Sequence, residues 1–125
     1  ETFRIVPNPN DTTSYTAIRE ESTFNKHINP GPDALWNDAV GINSHGYHQN
    51  HEAITTADDL DTVWGQFIAY VNGIVRDRDV AILTAYNGVT CDLQWLWKLT
   101  QAPNAPYTMP HQIIFFPDPP YVSLT

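Results

Sequence analysis

From residue 55 to residue 76 the chain places apolar side chains at intervals of three and four. Leu60, Val63, Trp64, Phe67, Ile68, Val71, Ile74 and Val75 form one stripe, the pattern of a helix with a single buried face. Thr56 followed by Asp59 predicts an N-cap with a carboxylate in the first turn. Asp58, Asp59 and Asp61 suit the positive end of that helix, and Arg76 and Arg78 the other. Full burial of eight such side chains stabilises by about 1.5–3 kcal/mol each before entropy. The spacing therefore predicts a main stabilising element with no chemistry of its own.

A second pattern follows. From Val80 to Ala85 five of six residues are apolar, the mark of a buried strand. Asn87-Gly88 is a turn signal, because both residues tolerate positive φ. Leu93, Leu96, Trp97 and Thr100 then fall at helical spacing, with Asp92 on the first turn. A strand, a tight turn and an acid at a helix start bring one charged oxygen ligand to a sheet end, where ligands collect in open α/β folds. The plainer role for Asp92 is a cap that accepts backbone N–H bonds.

Patterning before residue 55 is looser. Phe3, Ile5 and Val6 read as the tail of a strand, and Pro7-Asn8-Pro9-Asn10-Asp11 as a loop. Thr12–Ile18 and Thr23–Asn29 read as two strands of a hairpin turning at Arg19-Glu20-Glu21-Ser22, with Phe24 and Ile28 on one face; Pro30-Gly31-Pro32 ends it. Asp33–Val40 is expected to be a short helix with Leu35, Trp36, Ala39 and Val40 inward, and Asn43–Glu52 a polar loop. Near the other end, Gln101–Pro110 reads as a loop and Gln112–Phe116 as a last strand, stopped by Pro117-Asp118-Pro119-Pro120. The predicted order is βββ-α-α-β-α-β, an α/β class, in one domain of 125 residues.

Composition changes the picture in two respects. A single cysteine, Cys91, excludes a disulfide framework, points to a reducing intracellular compartment (cytoplasmic or nuclear), and reads as a small apolar filler. The apolar runs are too short for a membrane span. A net charge of −8 from six basic and fourteen acidic residues opposes the basic footprint of a nucleic-acid binder. Lacking a Met at its start and stopping just after a strand-like stretch, the chain is expected to be a piece of something longer.

The segment Ala85-Tyr86-Asn87-Gly88-Val89-Thr90-Cys91-Asp92 resembles the second motif of the DEDD-type (DnaQ-like) 3′→5′ exonucleases of the RNase H-like superfamily. In that pattern a strand runs into His-Asn-(Gly or Ala), and an aromatic residue precedes a metal-binding Asp. Asn87, Gly88 and Asp92 match it; Tyr86 stands in place of His, and Cys91 in place of the aromatic residue. The resemblance implies an RNase H-like mixed sheet, an antiparallel three-strand meander plus parallel strands flanked by helices, incomplete here at the C-terminus. It implies Mg²⁺ or Mn²⁺ as cofactor and the 3′ end of single-stranded DNA or RNA as substrate.

Two-metal hydrolysis requires several carboxylates around ions about 3.5–4 Å apart. By resemblance Asp92 would be one ligand, and Glu1-Thr2 would end an Asp-x-Glu-Thr signature with Glu1 as another. Asn87 and Tyr86 would lie near the terminal nucleotide. The family's fourth acid and its preceding base have no counterpart, and Asp118 reads as a turn residue.

Other chemistry is weaker. His45, His48 and His51, with Glu52 beside them, have spacing that a zinc ion could use, although Gly46 and Asn50 disfavour a regular helix there. His27 and His111 read as isolated strand-edge or loop residues. No Gly-x-Ser-x-Gly elbow or Gly-rich phosphate loop is present. The competing expectation is a catalytically degenerate relative kept as a protein-interaction or scaffold domain. The acid balance and four tryptophans (Trp36, Trp64, Trp95, Trp97) favour it, with a protein partner or a second copy covering the open side.

Overall fold

The computed structural model describes residues 1–89, 91–101, 107–109 and 112–121, with backbone only at Ser44 and His45. The chain forms two compact units, Glu1–Val63 and Trp64–Thr125. Among the described residues the protein is α/β, with two separate two-stranded sheets and four helices.

The first unit opens with an antiparallel hairpin, β1 (Phe3–Asn8) and β2 (Asp11–Arg19), in the register Phe3↔Arg19, Ile5↔Ala17 and Pro7↔Tyr15. Its tight turn is held by short polar side chains. Asn8 Oδ1 accepts the Asn10 N–H at 3.0 Å, and Asp11 Oδ1 accepts the N–H and hydroxyl of Thr13 at 3.0 and 2.7 Å. Pro7 lies within β1 beside a register shift, where an edge strand tolerates a residue with no N–H to donate. The first prolines thus bend the ladder without breaking it.

Two expectations for this region are corrected. β2 pairs with β1, not with Thr23–Asn29, and that segment is no strand. Its polar groups are committed elsewhere: the Asn29 N–H donates to Asp58 O at 2.8 Å, and Asn29 Nδ2 to Thr55 O at 3.3 Å. The short helix begins five residues late, as α1 (Asp38–His45), leaving Leu35 and Val40 exposed. Asn37 is the residue that caps it, accepting the Val40 N–H at 3.2 Å. Residues 29–34 are taken up by a turn in which Asn29 Oδ1 accepts the Gly31 N–H. Gly46 then closes α1 in the left-handed region at φ 79°, a conformation that glycine adopts without a Cβ clash. Part of the expected loop from Asn43 to Glu52 is therefore helical.

A four-residue helix, α2 (Glu52–Thr55), precedes the long helix α3 (Leu60–Ile74). The predicted cap residue Thr56 ends α2 instead, its hydroxyl donating to Glu52 O at 2.7 Å. Asp59 begins α3, accepting the Thr62 N–H at 2.8 Å. All eight stripe residues are buried or half-buried, whereas Asp61, Thr62, Gly65, Ala69, Asn72 and Gly73 are exposed. Only Val63 and Val71 of the eight are fully buried, so the stabilisation falls short of the full-burial figure.

In the second unit a turn from Arg76 to Asp79 leads into β3 (Ala81–Leu83). A parallel partner, β4 (Ile113–Phe115), is reached by way of α4 (Asp92–Gln101). The ladder is bounded by Ala81 N–H to Gln112 O and Phe116 N–H to Leu83 O, each 2.8 Å. Gln112 Nε2 also donates to Arg76 O at 3.1 Å. Leu93, Ile113 and Phe115 are buried, and the Trp97 and Tyr121 rings meet edge-on at 5.9 Å. β3 is not buried on both faces as its composition suggested, since Ile82 points outward. The observed order is ββ-α-α-α-β-α-β. No helix among the described residues is long and apolar enough to cross a membrane.

Candidate functional site

The site is built by the chain between β3 and α4. After Leu83 the chain leaves the sheet, and Gly88 N–H donates to Ala85 O at 3.1 Å to close a turn. Asn87 takes φ 54°, a left-handed conformation that asparagine adopts more readily than most residues. Gly88 is buried, and a Cβ there would lie 2.8 Å from both Cγ and Cδ1 of Leu93. Only hydrogen fits, so the turn can sit directly on the first turn of α4. The Asn-Gly pair is thus used twice, once for a backbone angle and once for a close approach.

That approach also satisfies the start of α4. The Gly88 carbonyl accepts the N–H groups of Leu93 at 2.9 Å and Gln94 at 3.2 Å, and Asn87 O accepts the Cys91 N–H at 3.1 Å. These are the helix-start donors that a capping side chain would take. Backbone oxygens have taken them instead. Asp92 is exposed, and its carboxylate has no hydrogen-bond or ion-pair partner among the described residues. It stands at the positive end of α4 as an acceptor with lone pairs still to offer. As the first helical residue, one position past the cap, Asp92 plays no capping role.

Its expected companions are arranged differently. Glu1 belongs to the first unit and pairs with Arg19, Oε1 to Nη2 at 2.7 Å, across the open end of the hairpin. Tyr86 is almost wholly exposed, at 94%. Asp118 follows β4, where its charge, after burial of the ring, helps raise the Tyr121 phenol above its usual range. The Tyr121 hydroxyl donates to Pro117 O at 2.7 Å.

Among the described residues no group of three or more His, Cys, Asp or Glu is assembled to hold a metal ion. One carboxylate with an otherwise water-filled shell does not fit a two-ion centre. No known family, characterised protein or solved structure matches the chain.

The histidine segment also resolves in part. His48 and His51 meet edge-on at 5.8 Å, but His51 Nδ1 accepts the Ala53 N–H at 3.0 Å and so caps α2. Tyr47 lies against both His51 (4.7 Å) and His27 (5.0 Å), so His27 is not isolated. The His45 side chain and His111 lie outside the described residues, as does most of the expected loop Gln101–Pro110.

Sequence reading missed one feature on α4. Gln94, Trp95, Lys98 and Leu99 line a hollow of about 360 Å³. Trp95 is 64% exposed, whereas Leu93 on the opposite face is 2% exposed. The signal was present in the steps of three from Asp92 to Trp95 to Lys98, which place residues along one helix face.

Proposed function

We propose that this chain is a 3′→5′ exonuclease-type domain of the RNase H-like kind, acting on single-stranded DNA or RNA ends, with an incomplete catalytic set of its own. The observation that carries this reading is the Asp92 carboxylate, delivered by a strand and an Asn-Gly turn and left unspent by the helix it begins. A residue serving as the cap would stand one position earlier, at Cys91, whereas Asp92 is the first residue of the helix and holds no helix amide. On this reading Asp92 holds Mg²⁺ or Mn²⁺ weakly, through one oxygen with most of the ion's waters retained. Asn87 and Tyr86 flank the terminal nucleotide.

The test has two readouts. Titration with Mn²⁺ should broaden the amide resonances of Asn87, Gly88 and Leu93 first, and Asp92→Asn should remove that selectivity. Uniform broadening, unchanged by Asp92→Asn, would defeat the proposal. An assay on a labelled single strand should show little or no turnover by this chain. Robust cleavage lost in Asp92→Asn would make it a working nuclease in its own right.

A second reading, a degenerate exonuclease-like fold used as an interaction or scaffold domain, is favoured by one observation. Phe3, Ile5, Tyr15 and Ala17 share a face of the β1–β2 hairpin, and all four are exposed. Exposed apolar faces of this kind mark contact surfaces. A partner chain or a second copy would fit there.

A further inference from the structure

We infer that the open edge of β2 is a contact through which two copies of this chain pair, strand to antiparallel strand, about a two-fold axis at Ala17. The inference goes beyond the interaction-domain reading, which concerns a face of the hairpin, and it is independent of Asp92.

The register of the hairpin shows which backbone groups are left over. The Glu20 N–H donates to Thr2 O at 2.9 Å. Thr2–Glu20 is therefore a pair that exchanges hydrogen bonds within the hairpin, and Arg4–Ile18 and Val6–Thr16 follow in step. Tyr15, Ala17 and Arg19 alternate with them and turn their N–H and C=O groups to the outside of β2. Among the described residues nothing pairs with that side.

The two edges of this sheet differ. On β1 the outward positions are Phe3, Ile5 and Pro7, and the proline has no N–H to offer. On β2 the part next to the turn is closed by its own side chains, since Asp11 Oδ1 holds the Thr13 N–H at 3.0 Å. From Tyr15 to Arg19 the usual guards of an edge are missing. That stretch has no proline and no register shift, and its single charge, Arg19, is paired with Glu1. A free edge of this kind selects an extended strand, which supplies N–H and C=O groups at the matching spacing.

Register and charge make a second β2 that strand. With the axis at Ala17, Tyr15 falls opposite Arg19 of the second copy and Ile18 opposite Thr16, so every outward position is used, in about six hydrogen bonds. Tyr15 and Arg19 project from the same face, which sets a guanidinium beside a phenol ring. Ala17 meets itself without bulk or charge. An axis at Arg19 would oppose two guanidiniums, and one at Tyr15 would need the Thr13 N–H that Asp11 holds. Residues 3–19 carry Arg4 and Arg19 against Asp11 alone, a charge of +1 in a chain of −8, so two copies repel little here. No side chain of β1 or β2 is fully buried, and pairing turns a two-stranded ribbon, marginal by itself, into four strands. With Pro7 on the far edge, assembly stops at two.

The experiment is sedimentation of the full chain over a range of concentrations, with amide hydrogen exchange alongside. The parent should double in mass as concentration rises, and the Tyr15, Ala17 and Arg19 amides should exchange more slowly as it does. Ala17→Pro removes an outward N–H that β1 does not use, so it should abolish the dimer while the Thr16 and Ile18 amides stay protected. In a Cys91→Ser background, Ala17→Cys should give a disulfide-linked dimer under mild oxidation, because paired Cα atoms lie about 5.5 Å apart. Ile5→Cys, on the outer strand, should not. A parent that stays single at every concentration, a dimer that survives Ala17→Pro, or cross-linking through Ile5→Cys in place of Ala17→Cys would overturn the inference. A dimer lost in Ile5→Lys but kept in Ala17→Pro would move the contact to the hairpin face. That result would overturn the edge pairing and leave the interaction-domain reading standing.

Discussion

Gly88 and Leu93 determine whether the candidate site exists. The glycine brings its carbonyl onto the first amides of α4, and the leucine beneath it is the most deeply buried side chain described. A methyl group at residue 88 would have to displace Leu93, a side chain with nowhere to go. Gly88→Ala should therefore destabilise by about 1–3 kcal/mol, the usual cost of overpacking, and should shift the Leu93 and Gln94 amide resonances. An unfolding midpoint in urea equal to that of the parent would disprove the close approach. Leu93→Ala removes the same contact from the other side and should cost about 2–5 kcal/mol. Because the two residues touch, the double variant should cost less than the sum of the singles.

At the scale of elements, α3 shows how a cap can move while the helix stays. The apolar stripe required a helix, and the polar residues ahead of it offered two starts, Thr56 and Asp59. Asp59 won because Thr56 is committed to closing α2. The hydroxyl of Thr62 first, and its N–H second, hold the Asp59 carboxyl below its ordinary value of 3.8. A depressed carboxyl contributes stability that is present above that ordinary value and is lost as pH falls through the lower folded value. Acidification below about pH 4 should therefore loosen the start of α3. Asn at this position still caps but does not titrate, so Asp59→Asn should flatten the acid limb of a urea-midpoint profile relative to the parent. Parallel profiles would exclude this contribution.

The hairpin taught the opposite lesson about elements. The alternation in Thr12–Ile18 marked a strand and said nothing about its partner, since apolar residues lie on both sides of it in the chain. The choice fell to the Asn8–Asp11 turn, whose side chains satisfy their own backbone more locally than Arg19–Ser22 could.

For the whole molecule, charge and exposed apolar surface act together. The outward face of β1–β2 contributes little to folding, because its side chains are already in water. Ile5→Lys and Tyr15→Lys should each change stability by less than about 0.5 kcal/mol, as surface substitutions do. If that face is a contact surface for a second copy, sedimentation should show the parent associating with rising concentration and both variants remaining single. A loss of more than about 2 kcal/mol in either would mean that the face is covered within the chain itself, since such losses belong to buried sites.

The sequence by itself determined the elements whose information is local and periodic. These are the eight-residue stripe of α3, the apolar run of β3, and the Asn-Gly turn that places Asp92 on the first turn of α4. Such elements follow from side-chain spacing and backbone preference within a few residues. Tertiary structure decided what depends on which groups meet: the partner of β2, the late start of α1, the pairing of Glu1 with Arg19, and the seat of the Gly88 carbonyl on the first amides of α4. A carboxylate near a helix start has two fates, and the residue at which the helix begins selects between them: with α4 starting at Asp92, the Gly88 carbonyl meets the first amides and the carboxylate is left to solvent.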